Sequence, residues 1–512
     1  MSNPGRTVAY LLMTFAVIGG IMLVWPSEGV RVTDDFVLDF PDWDGFWAED
    51  KPQRRVALQE LFDIYSLKID STAIRDSIKR AKIAHQQEMK WIQFADSTMS
   101  ACANFFEAVN AGAQRQRMMR IMHYGDSQIE GDRITGYLRH QLQGAYGGQG
   151  SGWLSLVEVI PTPVMDYTSS DNWYRYTAYG RPQSIHTRYG MLAGFHRFIP
   201  EEDTVIVDNL REDGVDTIDV AADQGNEEVV TTVEDGAIAE QDTVRAWVEL
   251  KPKGGIYGRT QKFSRIRMAY GNIRSLVAYK LYLDGELYQA DSLRDVAFYN
   301  ELVIDVEDAP GVIRFEFEGV DSPDFYGISL EPLSGLVVDN IPLRGSSGTF
   351  FNKIDRLQLK EQYDRENVGL FILQFGGNSV PYIDDEKRAE DFGRWFGAQI
   401  RTLRQLNPES SFIVIGPSDM SIKDKDKFVT YPMLASIRDA LQKASFEAGA
   451  AYWDLFEAMG GPGSMPQWVN VEPALASTDH IHFTPKGAKV VSEWFYEALM
   501  KAFDDYRGVA KQ

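Results

Sequence analysis

The chain has 512 residues, 44% of them hydrophobic and 12% aromatic, too many for one core of about 250 to 300 residues and too apolar for bulk disorder. With 52 basic against 74 acidic residues its formal net charge is -22, a balance that repels phosphate backbones and excludes nucleic acid as an expected partner. A single cysteine, Cys102, excludes intramolecular disulfides and any cysteine-based zinc cluster.

The first element is an uncharged apolar run, Val8 to Trp25, of about the length a helix needs to cross a bilayer. Arg6 precedes it, and Glu28, Asp34, Asp35, Asp39, Asp42 and Asp44 follow it. This asymmetry predicts a single-pass inner-membrane anchor within residues 1–30, with a cytoplasmic tip and a body on the periplasmic side. No small-x-small cleavage site follows the run, which favours an anchor over a cleaved signal peptide. From about Arg54 to Arg117 the pattern is helical, with Leu58, Leu61, Ile64 and Leu67 spaced by three, so 31–117 is read as a helical stalk or cap.

Met118 to Tyr124 is a short apolar strand ending at Gly125, and Asp132 to Gly144 has a helical pattern. A strand, a turn and a helix in that order place the turn at a sheet's carboxyl edge. The middle of the chain differs. Asp216 to Val220, Thr243 to Leu250, Val277 to Leu283, Leu287 to Gln289 and Val312 to Glu318 alternate with period two, and Asp284-Gly285 is a hairpin signal. Residues 161–333 are therefore expected to form an antiparallel β-sandwich. Tyr257, Tyr270, Tyr279 and Tyr282 within it read as core in preference to a sugar-stacking surface.

Helix and strand alternate again in 334–512: strands at Gly369 to Phe375, Phe412 to Gly416 and Ala451 to Leu455, helices at Asp385 to Leu406 and Tyr431 to Ala448, and a last helix from Pro485. The fold class is thus α/β, a parallel sheet covered on both faces and built from 118–160 and 334–512, interrupted by the β insertion.

Four short segments carry chemistry. Ser127, after Gly125-Asp126 at the end of an apolar strand, sits where its hydroxyl can face a cleft and its N–H can face an oxyanion. Asp479 and His482, two residues apart, can share one loop in which the carboxylate orients the imidazole. Asn378, after Phe375-Gly-Gly, can bring a side-chain N–H to the same place, and the turn Arg344-Gly345-Ser-Ser-Gly348 can bring backbone N–H groups. His480 and His482 lack a third metal ligand at suitable spacing, so neither a metal nor a cofactor is expected.

Together and in this order the four segments resemble the blocks of the SGNH hydrolase superfamily, the GDSL-type esterases. Gly125-Asp126-Ser127 resembles its first block, Gly345 its second, Gly377-Asn378 its third and Asp479-x-x-His482 its last. Gln128 stands where leucine or histidine is commoner, Ser379 stands where aspartate is frequent, and Gly348 competes with Gly345 for the second block. The resemblance implies a flavodoxin-like three-layer sheet, a triad of Ser127, His482 and Asp479, and an oxyanion hole of Ser127, Gly345 and Asn378. The β insertion and the expected export resemble bacterial peptidoglycan and polysaccharide O-acetylesterases, a likeness that implies a carbohydrate-binding role for the insertion. What this implies is removal of O-acetyl groups from envelope polysaccharide or peptidoglycan, beside a membrane-bound O-acyltransferase as a possible partner. The alternatives are an O-acetyltransferase using the same triad and a non-catalytic glycan-binding protein.

Overall fold

A computed structural model describes residues 13, 20, 30–33, 36–38 and 90–509, except 159, 161, 181–183, 185, 202–241, 255–256 and 295–297. The leucine pattern at 58–67, the strand expected at 216–220 and, but for Met13 and Gly20, the apolar run at 8–25 lie outside the described residues. Among the described residues no helix is long and apolar enough to cross a membrane. The chain forms two compact units, Met1–Leu61 and Phe62–Gln512. In the first, β1 (Val30–Thr33) pairs antiparallel with β2 (Phe36–Leu38).

The second unit opens with helix α1 (Ala103–Ala111), strand β3 (Met119–Gly125), helix α2 (Thr135–Tyr146) and strand β4 (Gly152–Leu154). A run of strands follows: β5 (Met165–Ser169), β6 (Tyr174–Thr177), β7 (Gly194–Arg197), β8 (Val244–Pro252), β9 (Arg265–Gly271), β10 (Val277–Leu283), β11 (Glu286–Ser292), β12 (Asn300–Asp305), β13 (Ile313–Gly319) and β14 (Asp324–Glu331). The chain returns to alternation with β15 (Leu336–Pro342), α3 (Arg356–Glu366), β16 (Val368–Gln374), α4 (Glu386–Leu406) and β17 (Ser411–Ile415). It ends with the hairpin β18 (Ser421–Asp424) and β19 (Lys427–Thr430), then α5 (Leu434–Glu447), β20 (Ala451–Trp453), α6 (Leu455–Met459), α7 (Ser464–Asn470) and α8 (Pro485–Val509).

Strands β15-β3-β16-β17-β20 form one five-stranded sheet, parallel throughout. Numbered by chain position, they run in the flavodoxin-like order 2-1-3-4-5. Side-chain alternation along β16 builds both faces: Phe371 and Leu373 pack with Tyr363, Phe396 and Leu441 of α3, α4 and α5, whereas Leu370 and Ile372 pack with Phe106, Leu138 and Phe495 of α1, α2 and α8. Both faces are therefore covered, and every residue of β3 is buried, which is why these strands read as continuous apolar runs.

Strand β4 lies within 118–160 but pairs with β14 of the inserted strands, and helix α1 and strand β15 also depart from the expectation. Helix α1, read as part of a stalk, belongs to this three-layer unit, its Phe106 ring lying 5.5 Å from Phe503 and from Tyr506 of α8. Strand β15 had no counterpart in the sequence reading, because Asp339 and Asn340 interrupt its apolar run; Asp339 is buried against Arg120 of β3 at 2.7 Å.

The intervening strands form two antiparallel sheets, β11-β10-β13-β8-β5 and β12-β9-β14-β7-β6, with β4 on β14. Val248, Leu250, Phe315, Ile266, Met268 and Ile328 fill the space between them. At the β10–β11 turn Asp284 and Gly285 have φ of 52° and 87°, the type I′ geometry that Asp-Gly favours. Tyr270 and Tyr279 are core residues, and Tyr257 stacks on His140 of α2 at 4.7 Å. A buried ion network joins these sheets to the parallel one. Arg120 meets Glu366 at 2.7 Å and also Glu331, while Arg267 of β9 meets Glu366 and Glu301 at 2.8 Å each. Buried charges are tolerated only when paired in this way.

Candidate active site

In a sheet of this order the crevice lies beyond the carboxyl ends of the two strands where the winding reverses. Here those strands are β3 and β16. Ser127 follows β3, Gly377 and Asn378 follow β16, and the turn after β15 is fastened beside them by Leu343 N–H donating to Gly125 O at 2.7 Å. The loop before α8 completes a cleft of about 230 Å³ whose lining includes Ser127, Gly345, Asn378 and His482.

Ser127 and His482, 355 positions apart, meet with Oγ 2.8 Å from Nε2. His482 Nδ1 lies 2.7 Å from Asp479 Oδ2. A carboxylate only accepts, so the ring proton sits on Nδ1 and leaves Nε2 to receive the serine proton. Asp479 Oδ1 accepts the backbone N–H groups of Ile481 (2.9 Å) and His482 (3.0 Å). Burial works to raise the Asp479 carboxyl, but the backbone and ring N–H groups of His482, with that of Ile481, hold it below its ordinary value. The loop closes on itself through Ser477 N–H to His482 O at 2.7 Å. His480 stacks on Phe428 with ring centroids 3.6 Å apart, whereas both His482 nitrogens are engaged, so the two histidines do not act as a pair.

Gly345 and Gly348 differ in their surroundings. Ser346 N–H donates to Leu343 O at 2.9 Å and Gly345 has φ of 81°, a type II turn with glycine at the position that demands positive φ. Gly348 is packed away from the cleft: a Cβ there would stand 2.6 Å from the Phe375 ring. Among the described residues neither the Ser127 N–H nor the Gly345 N–H is taken by a protein acceptor. Asn378 Nδ2 donates one hydrogen to Ser346 O at 3.0 Å, a tie the sequence did not suggest, and its second hydrogen remains for a ligand.

Two cleft residues were missed as contributors. Asp126 is buried beside Ser127, and burial pushes its carboxyl up to about 6 despite the Gln128 N–H it accepts at 2.9 Å. Gln128 donates through Nε2 to Ile481 O at 2.8 Å. The Asx-turn pattern of Asp126 was visible in sequence; the partner of Gln128 was not.

Among the described residues one group has the makings of a metal site: His186, Glu201 and Asp324 in the β insertion. His186 Nδ1 accepts the Arg188 N–H at 3.1 Å, and its Nε2 lies 3.1 Å from Asp324 Oδ2, 3.3 Å from Asn272 Nδ2 and 3.4 Å from Glu201 Oε1. Arg197 pairs with Asp324 at 2.8 Å and Ser184 donates to Glu201 at 2.8 Å, so both carboxylates already have partners within the protein.

No family model and no curated protein matches the sequence. Among solved structures, a peptidoglycan O-acetylesterase aligns with a TM-score of 0.55 at 17% identity, covering 80% of this chain and 98% of the esterase. A salicylyl-acyltransferase from a tetracycline biosynthetic pathway aligns with a TM-score of 0.24 at 12% identity, over 50% of this chain and 82% of its own. A family two carbohydrate esterase from Clostridium thermocellum gives 0.21 and 8%, over 51% and 93%. The first alignment establishes a common fold, and at 80% coverage that fold extends beyond the parallel sheet into the inserted strands.

Proposed function

We propose that this chain, which has the fold of the SGNH or GDSL-like esterases, is a serine esterase that removes O-acetyl or similarly short acyl groups from envelope carbohydrate. The observation that carries the reading is the hydrogen-bonded chain from Ser127 through His482 to Asp479, at 2.8 and 2.7 Å, beside two unengaged N–H groups. The likeness to a peptidoglycan O-acetylesterase supports the substrate class.

On this reading Ser127 Oγ attacks the ester carbonyl carbon while His482 Nε2 takes its proton, and Asp479 stabilises the imidazolium. The oxyanion accepts hydrogen bonds from the Ser127 and Gly345 N–H groups and from the second amide hydrogen of Asn378. The imidazolium then protonates the departing sugar oxygen. Water, deprotonated by His482, attacks the acyl-enzyme; the carboxylate leaves and Ser127 regains its proton. Asp126, its carboxyl pushed up to about 6 by burial, adds negative charge beside the imidazolium in neutral solution.

The uncharged run at 8–25 and the acidic residues behind it support a single-pass inner-membrane anchor with the body on the periplasmic side, beside peptidoglycan or acylated polysaccharide and a membrane-bound O-acyltransferase. Extraction of the chain from membranes by alkaline carbonate would refute the anchor.

The test is acetate release by the full chain from O-acetylated peptidoglycan and acetylated polysaccharide. Ser127→Ala should abolish it, and unchanged release would reject the nucleophile. Acetyl transfer to a glycan acceptor far exceeding hydrolysis would replace the esterase with an O-acetyltransferase.

A further inference from the structure

We infer that Gln128 is a positioning residue that holds His482 in register with Ser127, an inference that rests on the esterase reading above. Gln128 is 8% exposed, and its Nε2 donates to the carbonyl of Ile481 at 2.8 Å. That carbonyl belongs to the peptide unit joining Ile481 to His482. The N–H of the same unit donates to Asp479 Oδ1 at 3.0 Å. A peptide unit is planar and its C=O and N–H point in opposite directions, so this one is pinned at both ends, by the neighbour of the nucleophile and by the acid of the triad. The other end of Gln128 is equally fixed, since its backbone N–H donates to Asp126 Oδ1 at 2.9 Å. The donor is identified by its partner: a backbone carbonyl accepts only, so the Gln128 amide must present nitrogen there, and its Oε1 is left buried without a partner.

Among the described residues, the turn at 126–130 and the loop at 477–483 are joined by two side-chain hydrogen bonds, Ser127 to His482 and Gln128 to Ile481. The first disappears when Ser127 is acylated, because Oγ has lost its proton and carries the acyl group. Gln128 is then the remaining tie holding the imidazole where it must deprotonate water. Its loss therefore acts on deacylation more than on acylation, and on kcat more than on kcat/KM.

The experiment uses the full chain and 4-nitrophenyl acetate, with two variants close to glutamine in size. Gln128→Met removes the donor: kcat should fall roughly tenfold and KM with it, so that kcat/KM, which reports acylation, changes less than about twofold, and nitrophenol should appear as a burst of about one equivalent as acyl-enzyme accumulates. Gln128→Glu donates only when protonated, so its kcat relative to wild type should rise toward acid and fall below that of Gln128→Met once the carboxylate faces the Ile481 carbonyl. A residue that merely fills space would give neither the burst nor the tilted pH profile. Wild-type kcat in Gln128→Met, or a Gln128→Glu profile parallel to wild type, overturns the inference and leaves the esterase reading intact. A wild-type chain that releases no nitrophenol overturns both.

Discussion

Asp479 accepts two hydrogen bonds from His482, the ring Nδ1–H at Oδ2 (2.7 Å) and the backbone N–H at Oδ1 (3.0 Å). The same carboxylate thus sets the tautomer of the ring and the position of its backbone. Asp479→Asn keeps the backbone bond but turns an N–H toward Nδ1, forcing the ring proton onto Nε2, where it faces Ser127. We expect kcat to fall by roughly a hundredfold to ten-thousandfold, with the melting temperature little changed; steady-state kinetics on an acetyl ester checks this.

Asn378 lies across the cleft with one amide hydrogen committed to Ser346 O at 3.0 Å. That bond orients the side chain and ties the β16 loop to the turn bearing Gly345, so on the proposed mechanism one residue both supplies a donor and spaces the others. Asn378→Ala should raise the barrier by about 3 kcal/mol, or roughly a hundredfold in kcat, with a smaller change in KM. Asn378→Asp should be no better, since a carboxylate has no hydrogen to give and repels the oxyanion.

How far these features were legible in sequence depended on whether their partners were local. Strands β3, β16 and β17 are buried on both faces and so read as unbroken apolar runs, and Asp479 with His482 fits within one loop. Strand β15 was hidden because Asp339 makes sense in a core only beside Arg120, 219 positions earlier. Gln128 looked like a departure from pattern for the same reason, its carbonyl partner lying 353 positions on. Helix α1 had a readable period, but a period does not say what covers the helix, and the cover is α8 at the far end of the chain. Gly345 and Gly348 could be separated only once the turn and the ring packed against Gly348 were known.

Asp126 carries a pH dependence whose sign follows from its burial. Its carboxyl is raised from 3.8 to about 6 in the folded chain, so between those values the native state holds the extra proton and stability falls as pH rises. The cost is absent below the unfolded value and complete above the folded one, at most about 3 kcal/mol by linkage. Asp126→Asn keeps the acceptor for the Gln128 N–H and does not titrate. Its denaturant midpoint should match wild type at pH 4 and exceed it at pH 8; equal midpoints at both would mean that the carboxyl is solvated.

Arg120 offers the corresponding test of how the inserted strands are fastened. Its guanidinium reaches Asp339 on β15, Glu366 on α3 and Glu331 on β14 with no exposure of its own side chain. Removing it leaves three buried carboxylates with Arg267 as their remaining cation in this network, and stranded charge is costlier than a lost contact. Arg120→Gln should therefore destabilise the chain by about 3 to 5 kcal/mol, read as a lower guanidinium midpoint. The loss should shrink toward acid, because burial already pushes Asp339 up to about 6 and a protonated carboxyl no longer needs the cation. Arg245, which pairs with Glu318 at 2.9 Å on an exposed surface, provides the control. Its replacement by glutamine should leave the midpoint where it was, since water screens what the interior does not.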